Sequence, residues 1–218
     1  RAPLATTNQA ATARENRSRR RAESRCHFAQ GRSVLFRERP KHAGQRRASD
    51  GAPFIEHPIE VGWLLYRAGA PDHVIAAGSA RCSRETAISV AELQARFGSR
   101  IAGPVYAVSE DEGVTGYTQR KAALRQRAAA AGPEALEVFA ADKVSKVREL
   151  RAAVATATRC HRPVPGSLLP PRRLEHFRHC LGMLEERLGE SPLVQLLGTE
   201  FAALNCEIKA ATEIPAAA

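Results

Sequence analysis

The chain has 218 residues, of which 44% are hydrophobic, 26% charged and 5% aromatic. This length and balance fit a soluble globular protein with one domain of ordinary size or two very small ones. No apolar run approaches the roughly 18 residues that a membrane-spanning helix needs, and no secretory signal peptide is visible. The composition therefore excludes an integral membrane protein.

The formal net charge of +10 comes entirely from the N-terminal segment. Residues 1–47 contain 13 Lys and Arg against three Asp and Glu, whereas the rest of the chain has 20 of each sign. A basic protein suggests nucleic acid or an anionic surface as its partner. Here such a partner is expected only through the segment that carries the excess charge.

Residues 1–33 predict a disordered or weakly helical basic arm, because they are rich in Arg, Ala and Ser and lack sustained apolar periodicity. Such an arm can bind RNA or membrane phosphates, but it lacks interleaved aromatic residues for base stacking. A solvated tail, or translation from a wrongly assigned start, explains the same composition without any partner.

The five cysteines are scattered along the chain, and no two of them form a CxxC pair. An odd number without metal-ligand spacing argues against a disulfide framework and against a zinc site. Reduced thiols in a cytoplasm are therefore the expectation.

The first predicted helices open a domain that we expect to cover residues 34–206. Apolar residues at helical spacing around Ile59–Arg67 predict a helix that ends at Gly69. A second predicted helix begins at Asp72. Its apolar run stops at Ser79, where polar residues replace what should be a face of the core.

The middle of the chain continues the helical pattern. Ser89 as an N-cap, with Glu92 at the capping-box position, predicts a helix that ends at Gly98. Three helical stretches follow, at about 101–108, 117–131 and 133–155. The last of them carries an apolar stripe, formed by Leu136, Phe139, Ala140, Val144, Val147 and Leu150.

The C-terminal part predicts two final helices, at about 172–188 and 192–205, after a proline-rich connection. Residues 207–218 are expected to be a frayed tail. No strand alternation and no glycine-rich phosphate loop is visible. The predicted fold class is therefore an all-α bundle with non-parallel helix packing.

Two residues within this pattern suggest chemistry. His57 stands at the head of the first predicted helix, and Asp142 lies in the apolar stripe about 85 residues later. A carboxylate on a buried face is costly unless it is paired or bound to a metal. Taken alone, each residue also admits a structural role, as a core histidine or as one half of a helix–helix salt bridge.

Together with their surroundings, these residues resemble a known family. Residues 41–47 read KHAGQRR and residues 51–61 read GAPFIEHPIEV. This resembles the HxGQxR…GxPYxxHPxxV opening of the RelA/SpoT-type HD hydrolases. Further segments match in the same order, at 72–78, 93–98, 120–121 and 141–150. The resemblance covers about 34–205, and the single-domain members fit best because no synthetase or regulatory domain follows.

The resemblance implies an HD-domain helical bundle that cleaves the 3′-pyrophosphate of the guanosine nucleotide (p)ppGpp. It also implies a Mn²⁺ ion held by a His, an adjacent His-Asp pair and a distant Asp. By position, His57 is the first metal ligand and Asp142 the last. A cytoplasmic enzyme of the stringent response is the corresponding biological expectation.

The family pattern also assigns nucleotide contacts. Arg46 and Arg47 correspond to residues that contact phosphate or base, and Lys143 and Arg148 are candidates on the nucleotide side. Glu85 corresponds to the carboxylate that positions or activates the attacking water.

The central motif departs from the family. Arg81 and Cys82 stand where the His-Asp pair belongs, the acidic partner of Glu85 is missing, and Lys146 replaces an Asn found in many relatives. A guanidinium repels Mn²⁺, and two remaining ligands hold a hard divalent ion poorly. As written, the chain is expected to bind metal weakly and to hydrolyse slowly or not at all.

Two explanations fit this departure. The chain is either a degenerate member of the family, or residues 79–85 result from a reading-frame slip, since codons for Val-Leu-Glu read one base late can give the Cys-Ser-Arg found at 82–84. Resequencing the gene distinguishes them. The alternative function is a catalytically inactive HD-fold module that binds a nucleotide or a protein partner.

Overall fold

A computed structural model of the chain describes residues 33, 44–47, 49–80, 89–162, 164, 166 and 168–213. Eight helices lie within these ranges, and the only β-type pairing among the described residues is one isolated bridge, Arg46 to Pro53. The helices are α1 (Glu56–Arg67), α2 (Asp72–Ala80), α3 (Val90–Phe97), α4 (Ser99–Ala107), α5 (Tyr117–Ala130), α6 (Pro133–Arg159), α7 (Pro171–Leu188) and α8 (Pro192–Glu213). The all-α prediction is confirmed.

Several predicted features lie outside the described residues. These are the basic arm except for Ser33, the segment from Arg81 to Ile88 with the candidate Glu85, and the last five residues. The domain boundaries at 33 and 206 stay predictions.

Capping residues near the helix ends, recognised from the sequence, lie where they were predicted. Ser89 caps α3, because its Oγ accepts a hydrogen bond from the backbone N–H of Glu92 at 3.2 Å. Gly69 follows α1 with a φ of +80°, a conformation that favours glycine. Its N–H donates to the carbonyl of Tyr66 at 3.1 Å.

The last helix is longer than predicted. It continues to Glu213 rather than ending at Asn205, so the residues predicted to begin a frayed tail at 207 are helical up to 213. The physical reason lies across the helix pair, because Arg151 of α6 donates to the Glu207 carboxylate at 2.6 Å. Likewise α6 runs to Arg159, four residues beyond its predicted end.

The central helix is α6, which packs against α1, α2, α4, α5, α7 and α8. Every residue of its predicted apolar stripe is buried, as expected from the sequence. Four polar residues of α6 are buried as well, namely Asp142, Lys143, Ser145 and Glu149. Because a buried polar group is costly unless it is paired, these four are the natural candidates for function.

Helices α1 and α2 approach closely at two glycines. A Cβ atom at Gly78 would lie 2.4 Å from Cδ1 of Leu65, and one at Gly62 would lie 2.6 Å from Oγ of Ser79. Neither position leaves room for a side chain without a shift of its neighbours. This contact places the head of α1, with His57, beside the helix that leads to position 81.

The buried face of α1 differs from a simple apolar stripe. Val61, Leu64 and Leu65 are buried, whereas Ile59 and Trp63 are 46% and 50% exposed. Trp63 instead stacks on Tyr66, with ring centroids 5.5 Å apart. Apolar residues cover almost the whole circumference of this helix, so their spacing alone did not identify the packed face.

An ionic cluster joins α6 to α8. Arg148 donates to Glu200 at 2.7 Å, and Arg151 also contacts the Glu200 carboxylate. Burial raises the pKa of the Glu200 carboxyl, but the hydrogen bonds from the two arginines outweigh burial and hold this pKa below its ordinary value of 4.5. The charged form is thus favoured in the folded protein.

Glu200 makes the stability of the fold depend on pH. The pKa of Glu200 is lower in the folded protein than in the unfolded chain, so the unfolded chain binds the proton first as the pH falls. The contribution of Glu200 to the free energy of unfolding is therefore complete at neutral pH and is lost below about pH 4.5. We expect the free energy of unfolding, measured with urea between about pH 7 and 3, to fall less steeply in Glu200→Gln. Replacing the exposed Glu186 by Gln is the matched control. Equal slopes in all three proteins would contradict the assignment.

None of the helices in the described part of the chain combines the length and apolar composition that a bilayer crossing requires. Cys160, Cys180 and Cys206, the cysteines within the described residues, are free.

Candidate metal and nucleotide site

His57 is positioned by a closed loop in front of α1. The backbone N–H of Arg47 donates to Ala52 at 2.8 Å, and that of Phe54 donates to Gln45 at 2.9 Å. These bonds fold residues 45–54 back on themselves and start the helix at Glu56. The His57 ring is 3% exposed and points into the bundle.

The structure brings His57 to Asp142. The imidazole Nε2 lies 3.1 Å from Oδ1 of Asp142, and the Asp142 residue is 1% exposed. The contact arises because α1 packs across the middle of α6. Two residues 85 positions apart therefore form one buried polar pair, as the sequence resemblance implied.

The donor set of this pair fits a divalent ion in part. Imidazole and carboxylate are suitable ligands for such an ion. Two ligand atoms that each lie about 2.1 Å from one ion, at roughly a right angle, are about 3 Å apart. This separation is close to the 3.1 Å between His57 Nε2 and Asp142 Oδ1. Within the described ranges, however, no three His, Cys, Asp or Glu residues group closely enough to hold a metal. The described residues thus offer two candidate ligands, and positions 81 and 82 lie outside them.

Lys143 lies beside the same carboxylate. Its Nζ donates to Oδ2 of Asp142 at 2.8 Å and sits 4.5 Å from the centre of the Phe139 ring, and the residue is buried. The ammonium therefore compensates the buried charge of Asp142. Lys143 contacts Oδ2 of Asp142, whereas His57 contacts Oδ1.

The two arginines of the loop differ. Arg47 donates both Nε and Nη2 to Asp50, at 3.0 and 2.6 Å, and also lies 3.4 Å from Glu56. Burial lowers the pKa of its guanidinium, but the hydrogen bond and charge of Asp50, together with the charges of Glu149 and Glu56, outweigh burial and raise that pKa. Arg46 is exposed and donates to the carbonyl of Gly51 at 3.0 Å. Of the two candidates, Arg46 is the better placed to meet an anion from solvent.

Arg148 is not part of the His57–Asp142 pair. It donates to Glu200 at 2.7 Å and to Glu60 at 3.2 Å, and it lines a surface groove with Trp63 and Leu193. Six residues after Asp142, it points to a different side of α6. Its observed contacts are those of an ionic link between helices.

Two residues around His57 escaped the sequence analysis. Ser145 lies 2.9 Å from Nδ1 of His57, and Glu60 accepts from Ser145 at 2.7 Å. A signal for both was present, because each follows a predicted metal ligand by three residues and so lies on the same helix face.

A basic cluster between α5 and α7 was also largely missed. Arg125 contacts Nδ1 of the buried His176 at 2.8 Å. Burial, and then the charges of Lys143 and Lys121, lower the pKa of His176 to about 2. The ring is therefore neutral, with the cations Lys143, Lys121 and Arg125 around it.

Comparison with known proteins supports the resemblance seen in the motifs. No family model matches the chain. The mouse guanosine-3′,5′-bis(diphosphate) 3′-pyrophosphohydrolase MESH1 is 32% identical over 126 residues, which cover 56% of this chain and 70% of the mouse protein. A probable guanosine-3′,5′-bis(diphosphate) 3′-pyrophosphohydrolase of Synechocystis is 40% identical over 70 residues, 32% of this chain. That match spans only 9% of the Synechocystis protein.

Solved structures agree with the fold. The crystal structure of lmo0812 from Listeria monocytogenes EGD-e superposes with a TM-score of 0.60 at 19% identity, covering 71% of this chain and 98% of that one. A metazoan orthologue of SpoT, described as hydrolysing ppGpp and acting in starvation responses, gives 0.63 at 22% identity and covers 80% and 95% of the two chains. Since the mouse relative is matched over more than two thirds of its length and the bundle is shared, this chain belongs to the family of HD-domain guanosine-3′,5′-bis(diphosphate) 3′-pyrophosphohydrolases.

Proposed function

We propose that the chain hydrolyses the 3′-pyrophosphate of a (p)ppGpp-type guanosine nucleotide with the help of a divalent metal ion. Water adds across the bond between the 3′-oxygen and phosphorus, which releases pyrophosphate and leaves a 3′-hydroxyl. The observation that carries the proposal is the buried contact between His57 and Asp142 at 3.1 Å, in a chain whose mouse relative is named for this reaction.

His57 and Asp142 are the residues that would hold the ion, and Mn²⁺ is the ion that we propose. When bound, such an ion supplies Lewis acidity that polarises a phosphate oxygen and lowers the pKa of a water. Glu85, which lies outside the described residues, is proposed to position the attacking water. Arg81 and Cys82 in place of the His-Asp pair are proposed to weaken metal binding and to slow turnover.

The chain's own cations are proposed to hold the nucleotide. Lys143 lies directly beside Asp142, and Arg125 and Lys121 lie close enough to His176 to lower its pKa, as Lys143 does. Arg46 is exposed at the loop before α1. Lysine and arginine bind phosphate oxygens through charge-assisted hydrogen bonds. Arg47 and Arg148 are proposed to act mainly by shaping the site, because each contacts two carboxylates.

A second candidate is a nucleotide-binding module without turnover. Two observations favour it: positions 81 and 82 carry Arg and Cys, and Lys143 already provides a cation for Asp142 at 2.8 Å. A cytoplasmic location and a role in the stringent response are part of either proposal. Nucleic-acid binding through residues 1–33 stays a prediction, because all of them except Ser33 lie outside the described part.

Pyrophosphate release from ppGpp with and without excess Mn²⁺ tests the proposal. We expect Mn²⁺-dependent release that falls to below about 1% of its starting rate in Asp142→Asn or His57→Ala, because each removes a metal ligand. Glu186→Gln, which changes an exposed carboxylate near the end of α7, is the control and should keep the rate.

The two candidates separate in the same experiment. Nucleotide binding by calorimetry together with no Mn²⁺-dependent release from the unaltered chain would reject the hydrolase and support the module. Release that does not depend on the ion, or that survives both substitutions, would reject the assigned site.

A further inference from the structure

Ser145 connects His57 to a carboxylate on the same helix as His57. The Ser145 Oγ lies 2.9 Å from Nδ1 of His57 and donates to Oε2 of Glu60 at 2.7 Å. Ser145 is fully buried on α6, one turn after Asp142, and Glu60 lies on α1, one turn after His57. The four residues thus form a chain of three polar contacts between two helices, from Glu60 through Ser145 and His57 to Asp142.

The direction of these hydrogen bonds follows from the number of hydrogens. A hydroxyl has one hydrogen, and an ionised carboxylate has none to donate. Arg148 donates to the other Glu60 oxygen, Oε1, at 3.2 Å, so both oxygens of this carboxyl group accept hydrogen bonds. The single Ser145 hydrogen must therefore point to Glu60.

The consequence reaches the imidazole. With its hydrogen directed at Glu60, Ser145 offers only a lone pair to His57, so Nδ1 must carry the ring hydrogen. In a neutral ring the other nitrogen, Nε2, is then an acceptor. Nε2 faces Asp142 Oδ1 at 3.1 Å, so two acceptors meet at the point where a cation would satisfy both.

We propose that Ser145 and Glu60 are positioning residues, which hold the His57 hydrogen on Nδ1 and so present the Nε2 lone pair towards Asp142 and a divalent ion. Partners of metal-bound histidines set the tautomer and orientation of the ring in this way. The assignment deepens the proposed function, but the hydrogen position is a property of the protein without metal or nucleotide. It therefore has a test of its own.

Long-range ¹H–¹⁵N spectra of the metal-free protein test the hydrogen position, with His57→Ala to assign the ring signals. We expect Nδ1 to be protonated and Nε2 to be unprotonated in the unaltered chain. In Ser145→Ala, Nδ1 loses its acceptor, and we expect the hydrogen to move to Nε2 and to bond to Asp142. Ser109→Ala removes another buried hydroxyl, which donates to the carbonyl of Val105, and should leave the His57 signals unchanged.

Glu60→Ala provides a second variant that does not touch His57. Without the carboxylate, the Ser145 hydroxyl is free to donate to Nδ1, so the same shift of the hydrogen to Nε2 is expected. An unprotonated Nδ1 in the unaltered chain, or a protonated Nδ1 in both variants, would overturn the proposal. A purely structural role of Ser145 predicts no change of tautomer.

Ion binding gives the second readout. Titration calorimetry with Mn²⁺ should show affinity about 10- to 100-fold weaker in Ser145→Ala than in Ser109→Ala. The two proposals fail separately. If the tautomer shifts as expected but no protein in the series hydrolyses ppGpp, the hydrolase is rejected and the positioning role stands. Turnover without the tautomer shift rejects the positioning role alone.

Discussion

Replacing Arg81 by His together with Cys82 by Asp is expected to raise Mn²⁺-dependent pyrophosphate release by about two orders of magnitude or more. On the proposed correspondence of positions 81 and 82 to the family's His-Asp pair, the double substitution removes a guanidinium that would repel the ion and adds two donors to the pair formed by His57 and Asp142. Affinity and catalytic competence of a metal site depend on ligand number and type. A site raised from two ligands to four should bind the ion far more tightly.

Rate and ion affinity are measured side by side. Calorimetry should show tighter Mn²⁺ binding in the double variant, and the gain should disappear when Asp142→Asn is added. Cys82→Asp alone should give less than the full gain, because the guanidinium remains. If the double variant binds Mn²⁺ no better than the unaltered chain, the correspondence of positions 81 and 82 to the family's His-Asp pair is wrong.

Truncation of Phe139 to Ala is expected to give the largest loss of stability, about 3–5 kcal/mol. Phe139 is fully buried on α6, which contacts six other helices. The loss would remove a substantial part of the roughly 5–15 kcal/mol by which a domain is folded. The ring also lies 4.5 Å from the Lys143 ammonium, so its removal weakens the support of the cation beside Asp142.

Urea unfolding followed by circular dichroism measures this effect. Trp63→Ala is the matched control, because it truncates an even larger aromatic residue that is 50% exposed, and it should cost about 1 kcal/mol or less. Similar losses in the two variants would show that Phe139 does not lie in the centre of the core.

Much of the fold was predictable from the sequence because its signals are local. The N-cap at Ser89, the glycine after α1 and the apolar stripe of α6 each depend on residues within a few positions of one another. Helical periodicity also placed Asp142 on a buried face. The motifs around His57 indicated the family, which the similarity to the mouse protein confirmed.

Contacts between helices were decided only by the tertiary structure. The sequence did not indicate that α1 buries Val61 rather than Trp63, or that Glu207 of α8 pairs with Arg151. A helix that is apolar around most of its surface does not specify which face packs. Charged residues distant in sequence pair only after that choice is made.

At the candidate site, too, some features were predictable from the sequence and others depended on the packing of helices. From the sequence by itself, the family resemblance predicted that His57 and Asp142 serve one site, and that Arg81 and Cys82 stand in place of the family's His-Asp pair. Only the packing of α1 across α6 places Ser145 between His57 and Glu60, and Lys143 on the remaining oxygen of Asp142. The sequence gives the type of each residue at the site. Hydrogen bonds between these residues form only where packing brings donor and acceptor atoms of different helices to about 3 Å. The spacing of residues along the sequence does not specify these distances.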